Sequence, residues 1–108
     1  MEQNTLLRQR FNMYVKVHKD GMVQVLAVCD EDLIGKTIED KKIKIEVSER
    51  FYKGQIKDEK KCLKMMKEFG NINLIGKKCV KLALDNGLIE KDNIILINKV
   101  PHAQLISL

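Results

Sequence analysis

Tryptophan is missing from this chain, proline occurs once, and the aromatics amount to Tyr14, Tyr52 and three phenylalanines. So few rings leave little on which successive nucleic-acid bases could stack. The single proline, set against 44% apolar residues, excludes a low-complexity or disordered chain. No apolar run comes near the roughly 18 residues that a membrane-spanning helix needs. The opening residues, MEQNTLLRQRFN, lack the apolar centre and small-residue cleavage site of a secretory signal, so a cytoplasmic protein with no membrane contact is expected. None of the three cysteines stands in a CxxC pair, which excludes a disulfide framework and predicts free thiols in a reducing cytosol. Short ligand spacings of the kind zinc sites use are absent too, so neither a metal nor a cofactor is implied.

What is present is 108 residues, enough for one small domain with one core, carrying a net charge of +5. The charge is unevenly placed. Residues 13–58 carry nine basic and nine acidic groups, whereas residues 59–108 carry nine lysines against five acids. A basic C-terminal half favours contact with phosphate.

Residues 1–12 show no period, are rich in amides, and read as a disordered arm or an upstream extension; a single domain is expected over 13–108. From Tyr14 to His18 the chain alternates, with Val15 and Val17 on one face, as in a half-buried strand. Asp20-Gly21 then suggests a two-residue turn into a second strand, Met22 to Cys29. That turn would set Lys19 opposite Met22, His18 opposite Val23 and Tyr14 opposite Ala27. His18 and Cys29 would share a face at opposite ends of the ribbon. The second strand is apolar on both faces except for Gln24, as a central strand covered on both sides would be.

After it Asp30 is placed to cap a short turn holding Leu33 and Ile34, and Ile43, Ile45 and Val47 alternate in a third strand. Asp58 begins a helix with Cys62, Met65, Met66 and Phe69 on one stripe and Gly70 at its end. A second helix is expected from Asn73 to about Asn86, burying Ile75, Cys79, Val80, Leu82 and Ala83, with Gly76 marking a close backbone approach. Ile94–Ile97 reads as a core strand, and Pro101 as a strand break or an edge. The expected fold is α+β: a two-layer sandwich in which a small, mainly antiparallel sheet of about four strands is covered by a pair of helices, in the order β-β-β-α-α-β.

Four groups of residues then form a combination: Cys29, Asp30, Leu33 and Gly35; Phe51, Tyr52 and Gly54; Asn73 and Gly76; Val100, Pro101, His102 and Ala103. Together they resemble a family of short archaeal proteins of unknown function. The resemblance covers Met13 to Ile106. It implies an archaeal cytoplasmic protein of two-layer α+β type, and it carries over no activity and no catalytic residue.

Two sets of side chains are candidates for function. Cys29, Asp30 and His102 would make a thiol site, or a ligand site, if the chain ends of two neighbouring strands brought them together: the imidazole would take the thiol proton and the carboxylate would orient the imidazole. The bland reading is a small core residue, a turn cap and a packed histidine. Lys60, Lys61, Lys64 and Lys67 on the first helix, with Lys77, Lys78 and Lys81 on the second, would make an electrostatic footprint for structured RNA or a ribonucleoprotein partner. A non-enzymatic binding module of this kind is the leading expectation, and a small thiol-dependent or ligand-binding protein the alternative. Phe51-Tyr52 could stack a base or plug the core, and Asn73-x-x-Gly76 reads as a helix cap with a packing glycine.

Overall fold

The chain's structure is a computed structural model that describes residues 12–107, so the expected arm at residues 1–12 lies outside it except for the exposed Asn12. The first alternating run forms β1 (Met13–Asp20), antiparallel to β2 (Val23–Asp30), with Asp20 opposite Val23 and the turn at Gly21-Met22. The loop is one residue later than Asp20-Gly21 suggested. Gly21 alone takes the left-handed region (φ 63°), the pattern of a type II′ turn, which leaves Asp20 in the ladder. The register therefore moves to His18 opposite Val25 and Tyr14 opposite Cys29. A shift of two residues keeps every side chain on its expected face.

Beyond β2 come β3 (Thr37–Glu39) and β4 (Lys44–Glu46), the short helix α1 (Glu49–Tyr52), β5 (Gln55–Lys57) and α2 (Glu59–Glu68). The chain then forms β6 (Ile72–Ile75), α3 (Lys77–Asp85), β7 (Ile94–Ile97) and β8 (Val100–Leu105). Six strands make one sheet in the order β5-β1-β2-β6-β8-β7, while β3 and β4 pair only with each other. Four of the five pairings in the large sheet are antiparallel; the fifth, β2 with β6 at its centre, is parallel.

This corrects the four-strand sheet and the element order expected from sequence. The alternating run Ile43–Val47 does not join the main sheet but folds back on β3, with Ile38 opposite Ile45. The stretch expected as the start of the second helix is instead strand β6. Ile72 and Leu74 face one core and Ile75 the other, so the apolar spacing that suggested a helix belongs half to a strand and half to α3. Pro101 lies inside β8, between β6 and β7, rather than at an edge. Its carbonyl accepts from Gly76 N–H (2.9 Å), and a strand residue points both backbone groups to the same side. The missing donor thus falls just beyond the end of β6, where the ladder has stopped.

The sheet is covered on both faces, not one. On the first face α2 and α3 pack through Cys62, Met66, Cys79, Val80 and Ala83 onto Val15, Leu26, Val28 and Leu74. Helix α2 follows its expected stripe, and the Asp58 carboxylate caps it by accepting from Lys61 N–H at 2.9 Å. On the second face the β3–β4 hairpin and α1 bury Ala27, Cys29, Ile75 and Ile97 under Ile38, Val47 and Tyr52. Among the described residues no helix is long and apolar enough to cross a membrane.

Asn98 and Lys99, between β7 and β8, both take positive φ (48° and 69°), the geometry of a type I′ turn. A lysine held there is strained, and Asn-Gly is the pair such a turn prefers. Lys99→Gly should therefore raise stability by about 0.5–1 kcal/mol, read as a higher urea midpoint with an unchanged slope.

Candidate functional site

Strands β2 and β6 run parallel, so their carboxyl ends open at the same end of the sheet, where the chain leaves β6 and enters α3. Helix α3 begins after Gly76, which has no side chain to cap it. The cap comes from Asp30, the last residue of β2. Its Oδ2 accepts from Lys78 N–H and its Oδ1 from Cys79 N–H, each at 2.9 Å. Asp30 is only 4% exposed, the one buried charged side chain among the described residues. Asp30 also precedes the 3₁₀ turn Glu31–Leu33, but its side chain makes no hydrogen bond there.

Gly76 makes this contact possible. A Cβ on it would sit 2.2 Å from the Asp30 Cγ, and its φ of 122° with ψ of 153° belongs to a region used almost solely by glycine. Burial raises the pKa of Asp30, and the two backbone N–H groups act against that rise.

Cys29 and Asp30 are consecutive residues of a strand and so point to opposite faces of the sheet. Cys29 faces the hairpin side, fully buried, and donates its thiol to the Asp30 backbone carbonyl at 3.0 Å. Burial, then the negative charges of Asp30 and Asp32, push the thiol pKa up to about 12. His102 shares that face, but Ile75 of β6 stands between them in the row Cys29–Ile75–His102. Two strand spacings, roughly 10 Å, separate the backbones of the thiol and the imidazole. His102 Nδ1 lies 2.7 Å from the Leu74 carbonyl, and burial lowers its pKa. The three candidates thus meet at one end of the sheet without forming a chain of proton transfer.

Cys62 of α2 and Cys79 of α3 are both fully buried between the helices and the sheet, and burial raises both thiols, that of Cys62 to about 12. Among the described residues no group of three His, Cys, Asp or Glu side chains is arranged to hold a metal ion.

The lysines behave differently. Lys60, Lys61, Lys64, Lys67, Lys77, Lys78 and Lys81 are all exposed. Helices α2 and α3 that carry them pack against each other on the same face of the sheet. Lys81 pairs with Asp85 at 2.8 Å on the surface. Lys77 and Lys78 flank a cleft of about 260 Å³ with Asp30, Asp32 and Val100, beside the buried cap.

A second cleft, of about 470 Å³, lies at the opposite end of the sheet on the hairpin side. The His18 ring stacks on Phe51, with centroids 4.5 Å apart and planes 10° apart, and His18 Nε2 is 2.7 Å from the Phe51 carbonyl. Phe51 in turn makes a T-shaped contact with Tyr52, with centroids 4.8 Å apart. Tyr52 Oη donates to Asn73 Oδ1, and Asn73 pairs across the ladder with Gln104. From sequence alone Phe51-Tyr52 reads as a base-stacking pair or a core plug and Asn73 as a helix cap, and nothing there joins them to His18 and Gln104. The available clue was that Asn73 interrupts an apolar run, Ile72 to Ile75, where a wholly buried strand would carry none.

The family profile described as "Protein of unknown function (DUF424)" matches residues 17–108. The chain belongs to the DUF424 family. The DUF424 chain is also similar to a solved structure, an uncharacterized conserved protein from Methanopyrus kandleri. The two share 30% sequence identity over 90% of this chain and 95% of that one, with a TM-score of 0.70. The archaeal source of that protein supports the archaeal origin that the sequence resemblance implied. Among curated proteins no match is found.

Two outcomes follow from this geometry. Asp30 has a folded pKa above its reference value of 3.8, so in the interval between the two the folded chain binds more protons than the unfolded one. Stability contributed at this residue is therefore greatest below 3.8 and falls as pH rises through the folded value. Urea midpoints of wild type relative to Asp30→Asn should decline across that interval; a relative midpoint that climbs with pH would mean the helix N–H groups outweigh burial. Separately, native Cys29 should alkylate with iodoacetamide far more slowly near neutral pH than the same thiol in urea, with no change in His102→Ala. Fast native labelling that slows in that variant would restore the thiol site.

Proposed function

We propose that this DUF424 protein is a non-enzymatic binding module that contacts structured RNA, free or within a ribonucleoprotein, through the exposed face of α2 and α3. The observation that carries the reading is the charge of that face: seven lysines on two adjoining helices against three acids, Glu59, Glu68 and Asp85. Each helix buries its apolar stripe, Cys62 and Met66 on α2, and Cys79, Val80 and Ala83 on α3. The lysines are therefore held at fixed spacing on a rigid layer rather than on a loop. The ion pair of Lys81 with Asp85 is exposed and screened by solvent, so it gives way readily to a phosphate.

Binding of this type draws its free energy from counterion release and reads backbone shape rather than base sequence. A scarcity of aromatics on the helical face accords with that. The buried, high-pKa thiols weigh against the alternative of a thiol-dependent enzyme built on Cys29, Asp30 and His102.

Affinity for a structured RNA should fall about a hundredfold between roughly 50 and 200 mM salt if about four phosphates are contacted. Combined reversal of Lys61, Lys64, Lys77 and Lys81 to Glu should abolish binding while leaving the urea midpoint nearly unchanged. Filter binding or fluorescence anisotropy across a salt series reads both. Binding that is absent, or that ignores salt and these substitutions, rejects the proposal.

A further inference from the structure

We infer that the cleft of about 470 Å³ at the far end of the sheet is a binding site for the neutral heterocycle of a nucleobase, held between the His18–Phe51 ring pair and the amides of Asn73 and Gln104. The cleft lies on the hairpin side of the sheet, away from the lysine-bearing helices, so the inference does not rest on the helical surface.

Four observations carry it. The volume lies within the roughly 300–1,000 Å³ usual for small-ligand sites. The floor is apolar and open to solvent, with Val23 54% and Ile106 67% exposed, unlike the buried residues under the hairpin on the same face. Next, no Lys, Arg, Asp or Glu is among the described residues that line it, so the group it takes is uncharged. Its polar groups, finally, are arranged in a fixed way. The Asn73 oxygen is committed to Tyr52 Oη, which turns the Asn73 NH₂ out as a donor. One strand away, the exposed Gln104 amide can both donate and accept.

A flat group with donors and acceptors along one edge and a π-face on the other is what such a site complements, and a nucleobase has both. Phe51 is held between the stacked His18 ring and a T-shaped contact with Tyr52, which fixes the orientation of the His18–Phe51 pair that a base would meet. Stacking on an aromatic tolerates any base, and the paired amides supply the selection among them.

The test uses the full chain labelled with ¹⁵N, following the Asn73 and Gln104 side-chain amide signals. Titrants are adenosine, guanosine, cytidine and uridine to millimolar concentration, and a short single-stranded RNA. Saturable shifts of both amides with at least one nucleoside support the inference, provided that the affinity falls about tenfold or more in Phe51→Leu, read on both amides, and in Gln104→Leu, read on Asn73 alone. Gln104 is on the surface, so its variant keeps the fold if the Phe51 variant does not. Tighter binding of the RNA strand than of any nucleoside identifies an unpaired RNA base as the source, and equal binding identifies the free nucleoside; either supports the site. Reversal of Lys61 and Lys64 to Glu should leave nucleoside shifts untouched, which separates failure here from failure of the helical surface. The inference is overturned if no titrant gives saturable shifts, or if the shifts survive both cleft substitutions. Movement of the same amides on dilution of the protein alone overturns it as well, because a second copy then fills the cleft.

Discussion

The carboxylate of Asp30 on the first turn of α3 ties the two halves of this fold together. The sheet is two antiparallel triplets, β5-β1-β2 and β6-β8-β7, and they meet only at the parallel pair β2–β6. Parallel pairing over four residues is a short seam. Asp30 extends it past the end of the ladder by bonding two backbone N–H groups of the element that follows β6. Helix N-terminal groups attract anions, and the chain supplies its own anion at this end. Burying it is unfavourable and raises its pKa, and two charge-assisted hydrogen bonds in place of water offset part of that cost. Gly76 is the geometric condition: any side chain there would occupy the volume of the carboxylate.

The same contact explains why this end of the sheet does not act as an open site. Carboxyl ends of parallel strands beside a helix N-terminus commonly receive a ligand phosphate in α/β proteins. Here those donors are already engaged. The adjoining cleft of about 260 Å³ therefore presents Lys77 and Lys78 on its rim against a negative floor of Asp30 and Asp32, a balanced surface rather than an anion trap.

Local period made part of the fold readable. Alternation placed β1, and a run apolar on both faces identified β2 as a central strand; the stripe of Cys62, Met66 and Phe69 with the Asp58 cap defined α2. A short apolar stretch beside a helix was not readable. Ile72–Ile75 has the spacing of either element, and what decides it is pairing with Leu26–Cys29, more than forty residues away. The strands β3 and β5, three residues each, carry too little pattern to be seen. Gly76 was legible as a point of close approach, but not its neighbour. For the thiol candidate the end of the second strand was the hidden point: a strand ending at Cys29 leaves the direction of Asp30 open, whereas β2 runs through Asp30, and residues 29 and 30 of a strand point to opposite faces. That Ile75 would separate Cys29 from His102 depended on sheet order, which the sequence does not state locally.

The two faces of the sheet are thereby given different chemistry. On one, lysines on packed helices offer charge, and the ring that follows them, Phe69, packs against the core; on the other, a cleft with no Lys, Arg, Asp or Glu in its described lining has the stacked rings of His18 and Phe51 at its wall, with Tyr52 behind Phe51. Charge sets affinity for any polyanion of suitable shape, and it cannot by itself select among them. Selectivity needs groups of fixed direction, and the Tyr52–Asn73 hydrogen bond supplies one by locking which end of an amide faces the cleft. Tyr52 comes from α1, beneath the hairpin, and Asn73 from the strand that Asp30 ties to β2. The position of the cleft's donor therefore depends on the same seam that the buried carboxylate secures at the other end of the sheet. A strand that slips by one residue turns its side chains to the other face, so a seam held in register is what keeps Asn73 on the cleft side of the sheet with Val25 and Phe51.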